Sequence, residues 1–316
     1  VGTHALFEDV VQFKNLGLCI IDEQHRFGVA QRAKLWDKNK HIHPHVLVMT
    51  ATPIPRSLQL TVYGELEVSL LRERPAGRKP IKTRICSPNS REGIYKEVDE
   101  QIADGRQVYV VCPLISDGKN DELKSVEGEL RRLKGSVFRH RRFGLLHGQL
   151  NPDDKNTVMQ AFKNGDIDIL VSTTVVEVGV DVPNAALMVI EHAERFGYAQ
   201  IHQLRGRVGR GSADSVCILM YAEPLSLAAK ERLQTLRETS DGFVIAERDL
   251  SLRGPGELLG AKQSGDAMLR FVDLQRDAWL IELAQIAAER LLAEHGDLVE
   301  RHLERWLGSR TEFLKA

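Results

Sequence analysis

Short apolar runs of strand length alternate along this chain with longer segments of helical periodicity. Residues 16–21 and 46–49 are nearly continuous apolar runs, as buried parallel strands require, and 66–71 adds a third. Residues 72–82, RERPAGRKPIK, interrupt the series with proline, glycine and charge and read as a linker between two units. Beyond it the pattern predicts helix 91–103, strand 107–112, a polar loop at 116–126, helix 126–133 and strand 144–147. Helix 151–163 follows, with Asn151 as N-cap and Pro152 in its first turn, then strands 167–172 and 187–190, helix 200–207 and strand 216–221. This alternation on both sides of the linker predicts two α/β domains with parallel sheets. Past residue 221 the pattern is helical, at 225–237, 243–249, 274–293 and 297–307, with a glycine-rich stretch at 252–265. Leu225, Leu233 and Leu236 supply apolar positions of the first of these helices. Trp279, Leu283 and Ile286, and later Leu303, Trp306 and Leu307, recur at helical spacing and are expected in a core.

Composition narrows the class. With 316 residues, two domains and an appendage are expected, and 42% hydrophobic with 28% charged residues is the balance of a globular protein. No apolar run approaches membrane-spanning length, and the opening VGTHALFEDV is not a signal peptide. It lacks an initiator Met, so the chain reads as a piece of something longer. Cys19, Cys86, Cys112 and Cys217 have no paired spacing. They suggest neither a disulfide framework nor a zinc site, but reduced core residues of a cytosolic protein. The net charge of −1 leaves local patches to decide on nucleic acid.

Several stretches carry candidate chemistry. In IHQLRGRVGRG, residues 201–211, Arg205, Arg207 and Arg210 stand among Gly206, Gly209 and Gly211. Guanidinium forks match phosphate, and glycine lets the backbone come close, so the three arginines can converge on one anion; a solvated basic turn is the other reading. Asp22 and Glu23 follow the first strand directly, where open α/β sheets place ligands. One carboxylate there can hold Mg²⁺ through water and the other can orient an attacking water; an acidic helix start is the alternative. Thr50 and Thr52 follow the second strand, where they either link a nucleotide site to its surroundings or cap a helix. Thr173 and Thr174 can bond a phosphate, and Asp181 a ribose hydroxyl or an arginine, while Gly179 permits close approach. The run KGSVFRHRR, 134–142, is either a nucleic-acid contact or an exposed turn. Gly2, Thr3 and His4 either touch a nucleic-acid backbone or cap a helix.

Taken in order, IIDEQHRFGV, MTATPIPRSL, STTVVEVGVDVPNA and QIHQLRGRVGRG resemble the motifs of superfamily 2 helicases. DEQHRFGV together with DGFVIAERDLSLRGPGELLGAKQSG further on resembles the RecG family of ATP-dependent DNA helicases, which act on forks and Holliday junctions in recombination and repair. The resemblance implies two RecA-like parallel-sheet lobes with ATP between them and DNA across both. The first lobe (1–74) would be truncated and the second (75–224) complete, followed by a translocation hairpin and loop (225–265) and C-terminal helices (266–316). Asp22 would serve Mg²⁺ and Glu23 would activate water. His25, Thr50, Thr52 and Gln203 would couple ATP to DNA. Thr173, Thr174, Glu177, Gly179 and Asp181 would face both nucleotide and DNA, and Arg207 and Arg210 would lie near the γ-phosphate. Arg232, Arg253 and Gln263 match the key polar positions of the translocation element, which would convert lobe closure into movement along duplex. The implied partners are branched double-stranded DNA, acted on by a monomer, and single-stranded DNA-binding protein as a further candidate.

The chain departs from the family pattern at Gln149, Ser57, Ser251 and Lys262, where a basic residue, Thr, an acidic residue and Arg are expected. No G-x-x-x-x-G-K-[ST] loop occurs, so its own residues supply no phosphate cradle and are expected not to hydrolyse ATP alone. A transcription-repair coupling factor shares the lobes and hairpin but continues into another globular domain, whereas only residues 266–316 follow here. A non-catalytic DNA-binding module is the alternative of a different class, recognisable by salt-sensitive DNA binding without turnover.

Overall fold

In the computed structural model the described residues are 1–8, 10–23, 44–50, 67–71, 73, 79–113, 119–173, 182–211, 214–253, 276–277 and 279–307. The chain divides into two compact units, residues 1–65 with 267–316, and residues 66–266.

The first unit contains strands β1 (Leu18–Asp22) and β2 (His45–Met49), paired in parallel with Ile20 opposite Leu47 and Asp22 opposite Met49. One face carries Ile21, buried against Cys19 and Val46. The other carries Leu18, Ile20, Leu47 and Met49, all exposed. Parallel sheets ordinarily bury both faces, so this one presents an apolar surface. Two helices, Trp279–Glu294 and Gly296–Leu307, also belong to this unit. Trp279, Leu283 and Ile286 are more than half exposed, contrary to the expected core placement. Packing of these two helices on each other covers only one seam, and the apolar positions of the first spread beyond it.

The second unit is built on a parallel sheet of β3 (Lys82–Cys86), β4 (Gln107–Val111), β5 (Phe143–Leu146), β6 (Ile169–Ser172), β7 (Ala185–Ile190) and β8 (Val216–Met220), in the order β3-β8-β7-β4-β6-β5. Its helices are α1 (Arg91–Ala103), α2 (Lys119–Lys134), α3 (Pro152–Lys163), α4 (Tyr198–Arg205), α5 (Leu227–Glu238) and α6 (Gly242–Arg253); the two helices of the first unit are α7 and α8. The central strands β4, β6 and β7 are buried at every position, because alternate residues enter opposite layers. Val108, Val110, Ile169, Val171 and Val189 pack with α1 and α2 through Tyr95, Val98, Val126 and Leu133. Tyr109, Val111, Leu170, Met188 and Leu219 pack with α3, α4 and α5 through Phe162, Ile201, Leu204 and Leu233. Asn151 caps α3 as expected, its side chain accepting from Asp154 N at 2.8 Å.

Three expectations about elements change. Residues 67–71 form no strand: Val68, Leu70 and Leu71 are exposed, and apolar alternation makes a strand only where a neighbouring backbone completes the ladder. The linker ends earlier than residue 82, because Lys82 opens β3, an edge strand paired to β8 alone whose Lys82 and Arg84 stand exposed. Charge on an edge strand discourages further pairing, which is why it resembled linker. The loop expected at 116–126 is helix from Lys119, where Glu122, Leu123 and Lys124 are good helix formers.

Cys112 and Cys217 are 2% and 0% exposed, and burial pushes the Cys217 thiol up to about 12 and Cys112 well above the ordinary range. Cys19 is only half-buried. A thiol reagent at pH 8 should therefore modify Cys19 in the native protein and reach Cys112 and Cys217 only on unfolding. Peptide mapping that found Cys217 labelled as fast as Cys19 would contradict this packing.

Candidate functional site

Asp22 ends β1 and is exposed at the C-terminal edge of the two-stranded sheet. Glu23, half-buried, takes the left-handed conformation at φ 53°, which non-glycine residues seldom adopt and which clusters at functional sites. The chain thus turns directly after the strand that ends at Asp22. Thr50, half-buried, follows β2 at the same edge.

The arginine stretch in the second unit is divided by the structure. Gln200 accepts from Gly197 N at 2.9 Å to start α4, which ends at Arg205. Gly209, at φ 77°, then turns the chain against Ile81, and Gly211 lies so near Pro183 that a Cβ would come within 2.4 Å of its carbonyl oxygen. Arg207 is half-exposed on this turn, and Arg210 is exposed with its Nε donating to Gly206 O at 3.1 Å. Arg205 is 3% exposed and points the other way, into the fold. It donates to Leu236 O at 2.7 Å, Thr239 O at 3.1 Å and Thr83 Oγ1 at 3.3 Å. The expectation that three arginines converge on one anion is corrected: helical spacing rotates Arg205 to the buried face, and only Arg207 and Arg210 remain on the outer turn. Gln203 is half-buried on α4.

At the C-terminal edge of the large sheet Thr173 is fully buried, its amide donating to Leu146 O at 3.2 Å. Glu191, immediately after β7, is 2% exposed and collects three donors: Arg91 at 2.6 Å, Arg132 at 2.9 Å and Tyr95 OH at 2.8 Å. Arg132 also pairs with Glu129. Burial favours the neutral Tyr95 phenol and the Glu191 charge adds to it, so its pKa is strongly raised. No motif marks this network in the sequence; its available signal is an acidic residue directly after an apolar strand, the same sign that marks Asp22.

The basic run 134–142 is a structural turn. Phe138 is 2% exposed and packs on Tyr95, with ring centroids 5.1 Å apart. Arg141 bonds Asp99 at 2.7 Å, and Arg142 bonds Asp168 at 2.5 Å. Burial alone would raise the Asp168 pKa, but the hydrogen bonds and charge of Arg142 outweigh it and hold the carboxyl below its usual range.

Arg232, on α5, donates to Glu194 O at 2.8 Å, while its buried Nε makes no hydrogen bond. Glu194 in turn accepts from Ala222 N at 3.2 Å. Gly2 and Thr3 are exposed; the expected cap is corrected, since Thr3 makes no side-chain cap bond and the short turn His4–Phe7 closes by backbone bonds such as Leu6 N to Thr3 O. Arg253 ends α6. His25, Thr52, Thr174, Glu177, Gly179, Asp181 and Gln263 lie outside the described residues.

Comparison with known proteins bears on the whole arrangement. Residues 91–212 match the family described as "Helicase conserved C-terminal domain", and 239–305 match "ATP-dependent DNA helicase RecG, domain 3, C-terminal". The ATP-dependent DNA helicase RecG of Pasteurella multocida (strain Pm70) is 50% identical over 313 residues, which is 98% of this chain and 45% of that protein. The chain is thus similar to RecG proteins over nearly all of its own length. RecG of Escherichia coli (strain K12) is 49% identical over 310 residues, 97% of this chain and 45% of its own length. The chain thus spans less than half the length of the RecG proteins it matches. A solved structure of RecG bound to a three-way DNA junction superposes with a TM-score of 0.66 at 46% identity, covering 89% of this chain and 36% of that one. S. cerevisiae Dbp5 bound to RNA and ADP BeF3, at 13% identity and a TM-score of 0.53 over 74% of this chain and 61% of that one, shares the fold. No helix among the described residues is long and apolar enough to cross a membrane.

Proposed function

We propose that these residues form the nucleotide-sensing and translocating part of an ATP-dependent DNA helicase that acts on branched DNA. The single observation that carries this reading is the α4 turn. It leaves Arg210 exposed and Arg207 half-buried just beyond the helix end, while its own helix is bonded to α5 through Arg205. The match of 239–305 to RecG domain 3 supports RecG-type action over a coupling-factor translocase. The domain reading remains a first lobe at 1–74, a second at 75–224, a translocation hairpin and loop at 225–265 and C-terminal helices at 266–316. The setting is a cytosolic monomer on branched duplex DNA, with single-stranded DNA-binding protein as a candidate partner.

The residues fit Mg²⁺ in the manner that accompanies nucleotide. Asp22 offers one exposed hard oxygen donor group, and no metal-binding cluster of three side chains occurs among the described residues. Mg²⁺ is commonly held this way, by one or two carboxylates, water and substrate phosphates. When bound, it supplies charge neutralisation on those phosphates. Glu23 would orient the attacking water and accept its proton, as the water oxygen bonds to the γ-phosphorus and the bond to ADP breaks. Arg207 and Arg210 offset the negative charge that develops on the transferring phosphoryl group.

These 316 residues alone are expected to show no ATP turnover above background. Extended to the full length of their relatives they should hydrolyse ATP in the presence of forked DNA, and Glu23→Gln should remove that turnover. Glu23→Gln-sensitive hydrolysis by the 316-residue chain would overturn the first statement. A full-length protein that binds forks without hydrolysis would leave a DNA-binding module.

A further inference from the structure

We infer that Arg205 is a positioning residue that fixes the α5–α6 hairpin to the helix bearing Arg207 and Arg210; the inference rests on the helicase reading above. The last four carbonyls of a helix lack intrahelical donors. Arg205 reaches into that position on α5, donating from one nitrogen to Leu236 O, in the last turn, and to Thr239 O, at the C-cap. A guanidinium there also meets the negative end of the helix dipole. The same side chain contacts Thr83 Oγ1 on β3 and His202 Nδ1 one turn back on α4, at 3.3 and 3.2 Å. It therefore joins α4, the sheet and the turn from α5 to α6. That turn is itself ordered: Asp241 N donates to Thr239 Oγ1 at 3.0 Å, and Asp241 Oδ1 accepts from Phe243 N at 2.8 Å at the start of α6.

Arg232 makes the opposite tie, from α5 to Glu194 O, in the turn Ala193–Arg195 that precedes α4. Each helix thus sends an arginine to a main-chain carbonyl beside the other. Two ties of opposite direction, one at each end of α4, resist both sliding and rotation of α5 against it. A shift of the Arg207–Arg210 turn, two to five residues beyond Arg205, is transmitted to the hairpin instead of being lost in side-chain packing.

The test uses the protein extended to its relatives' full length. In Arg205→Met, DNA-stimulated ATP turnover at saturating nucleotide should stay within about threefold of the parent, while base pairs unwound per ATP fall about tenfold or more. Arg205→Lys, which can reach the α5 carbonyls but lacks the second fork nitrogen that engages His202, should recover part of that ratio. Turnover and unwinding falling in the same proportion would overturn the inference and leave Arg205 a structural residue. If Arg205→Met does not fold, Arg205→Lys decides: an unchanged ratio overturns the inference, a lowered one supports it. A parent that neither hydrolyses ATP nor unwinds forks refutes the helicase reading itself, a result distinct from any of these.

Discussion

Replacing Arg207 with Ala in the full-length protein should lower ATP turnover roughly a thousandfold, with Arg210→Ala close behind, while the fold is retained. The size follows from the chemistry of phosphoryl transfer, where an arginine offsetting developing charge on the phosphoryl oxygens is worth about a thousandfold or more. Preservation of the fold follows from geometry. Arg210 is exposed, and substitutions at such positions usually change stability by about 0.5 kcal/mol or less; Arg207 is half-buried on the same turn, and its truncation should cost about 1 kcal/mol, too little to unfold the unit. Arg207→Lys should recover little, because a point charge does not reproduce the fork. Steady-state hydrolysis on forked DNA and a melting curve are the two measurements. Turnover within tenfold of the parent for Arg207→Ala would remove the arginine from the reaction. The contrast with Arg205, two residues earlier, is the internal control: that substitution should change coupling far more than hydrolysis.

How legible these roles were in the sequence differs from residue to residue. The parallel α/β alternation was readable because strands buried on both faces carry near-continuous apolar runs, as in 108–111, 169–171 and 185–190. The edge strand β3 was not, since a strand paired on one side keeps Lys82 and Arg84 and resembles linker. Asp22 and Glu23 were readable from their place after β1, but the left-handed turn at Glu23 has no sequence signature such as glycine. The run of arginines at 205–210 showed a phosphate-matching composition. It did not show that Arg205 faces inward, because that depends on where α4 ends and on α5 carbonyls some thirty positions later in the chain. The basic turn at 134–142 shows the converse. Arg141 and Arg142 pair with Asp99 and Asp168, which are remote in sequence, while Lys134 and Arg139 stay exposed, so the fold offers only part of the basic surface that the composition suggested. The apolar face of α7 was legible as a face, whereas what covers it is not a property of its own periodicity.

Glu191→Ala should destabilise the second unit by about 3 kcal/mol, the low end for removing one partner of a buried charge network. Glu191 is 2% exposed, and its loss leaves Arg91 and Tyr95 without their carboxylate and Arg132 with Glu129 alone. The low end applies because the Arg91 and Arg132 side chains are 30% and 34% exposed, so water meets part of their charge. Arg91→Ala should cost less, since Glu191 would keep Arg132 and Tyr95. The ordering of the two variants is thus as informative as either magnitude. Denaturant unfolding followed by far-ultraviolet dichroism measures both, and a Glu191→Ala change below about 1 kcal/mol would show that the network adds nothing net. The same network sets an alkaline limit. Burial first, then the Glu191 charge, raises the Tyr95 pKa in the folded state, so the fold holds a proton that the unfolded chain releases near pH 10. The sign follows: this contribution is full below about pH 10 and is lost as pH rises toward the folded-state pKa. In Glu191→Ala the burial contribution persists and the charge contribution goes. Just above about pH 10 the two proteins should therefore lose stability at the same slope, and the Glu191→Ala curve should level off first as pH rises further, because its folded-state pKa is the less raised of the two.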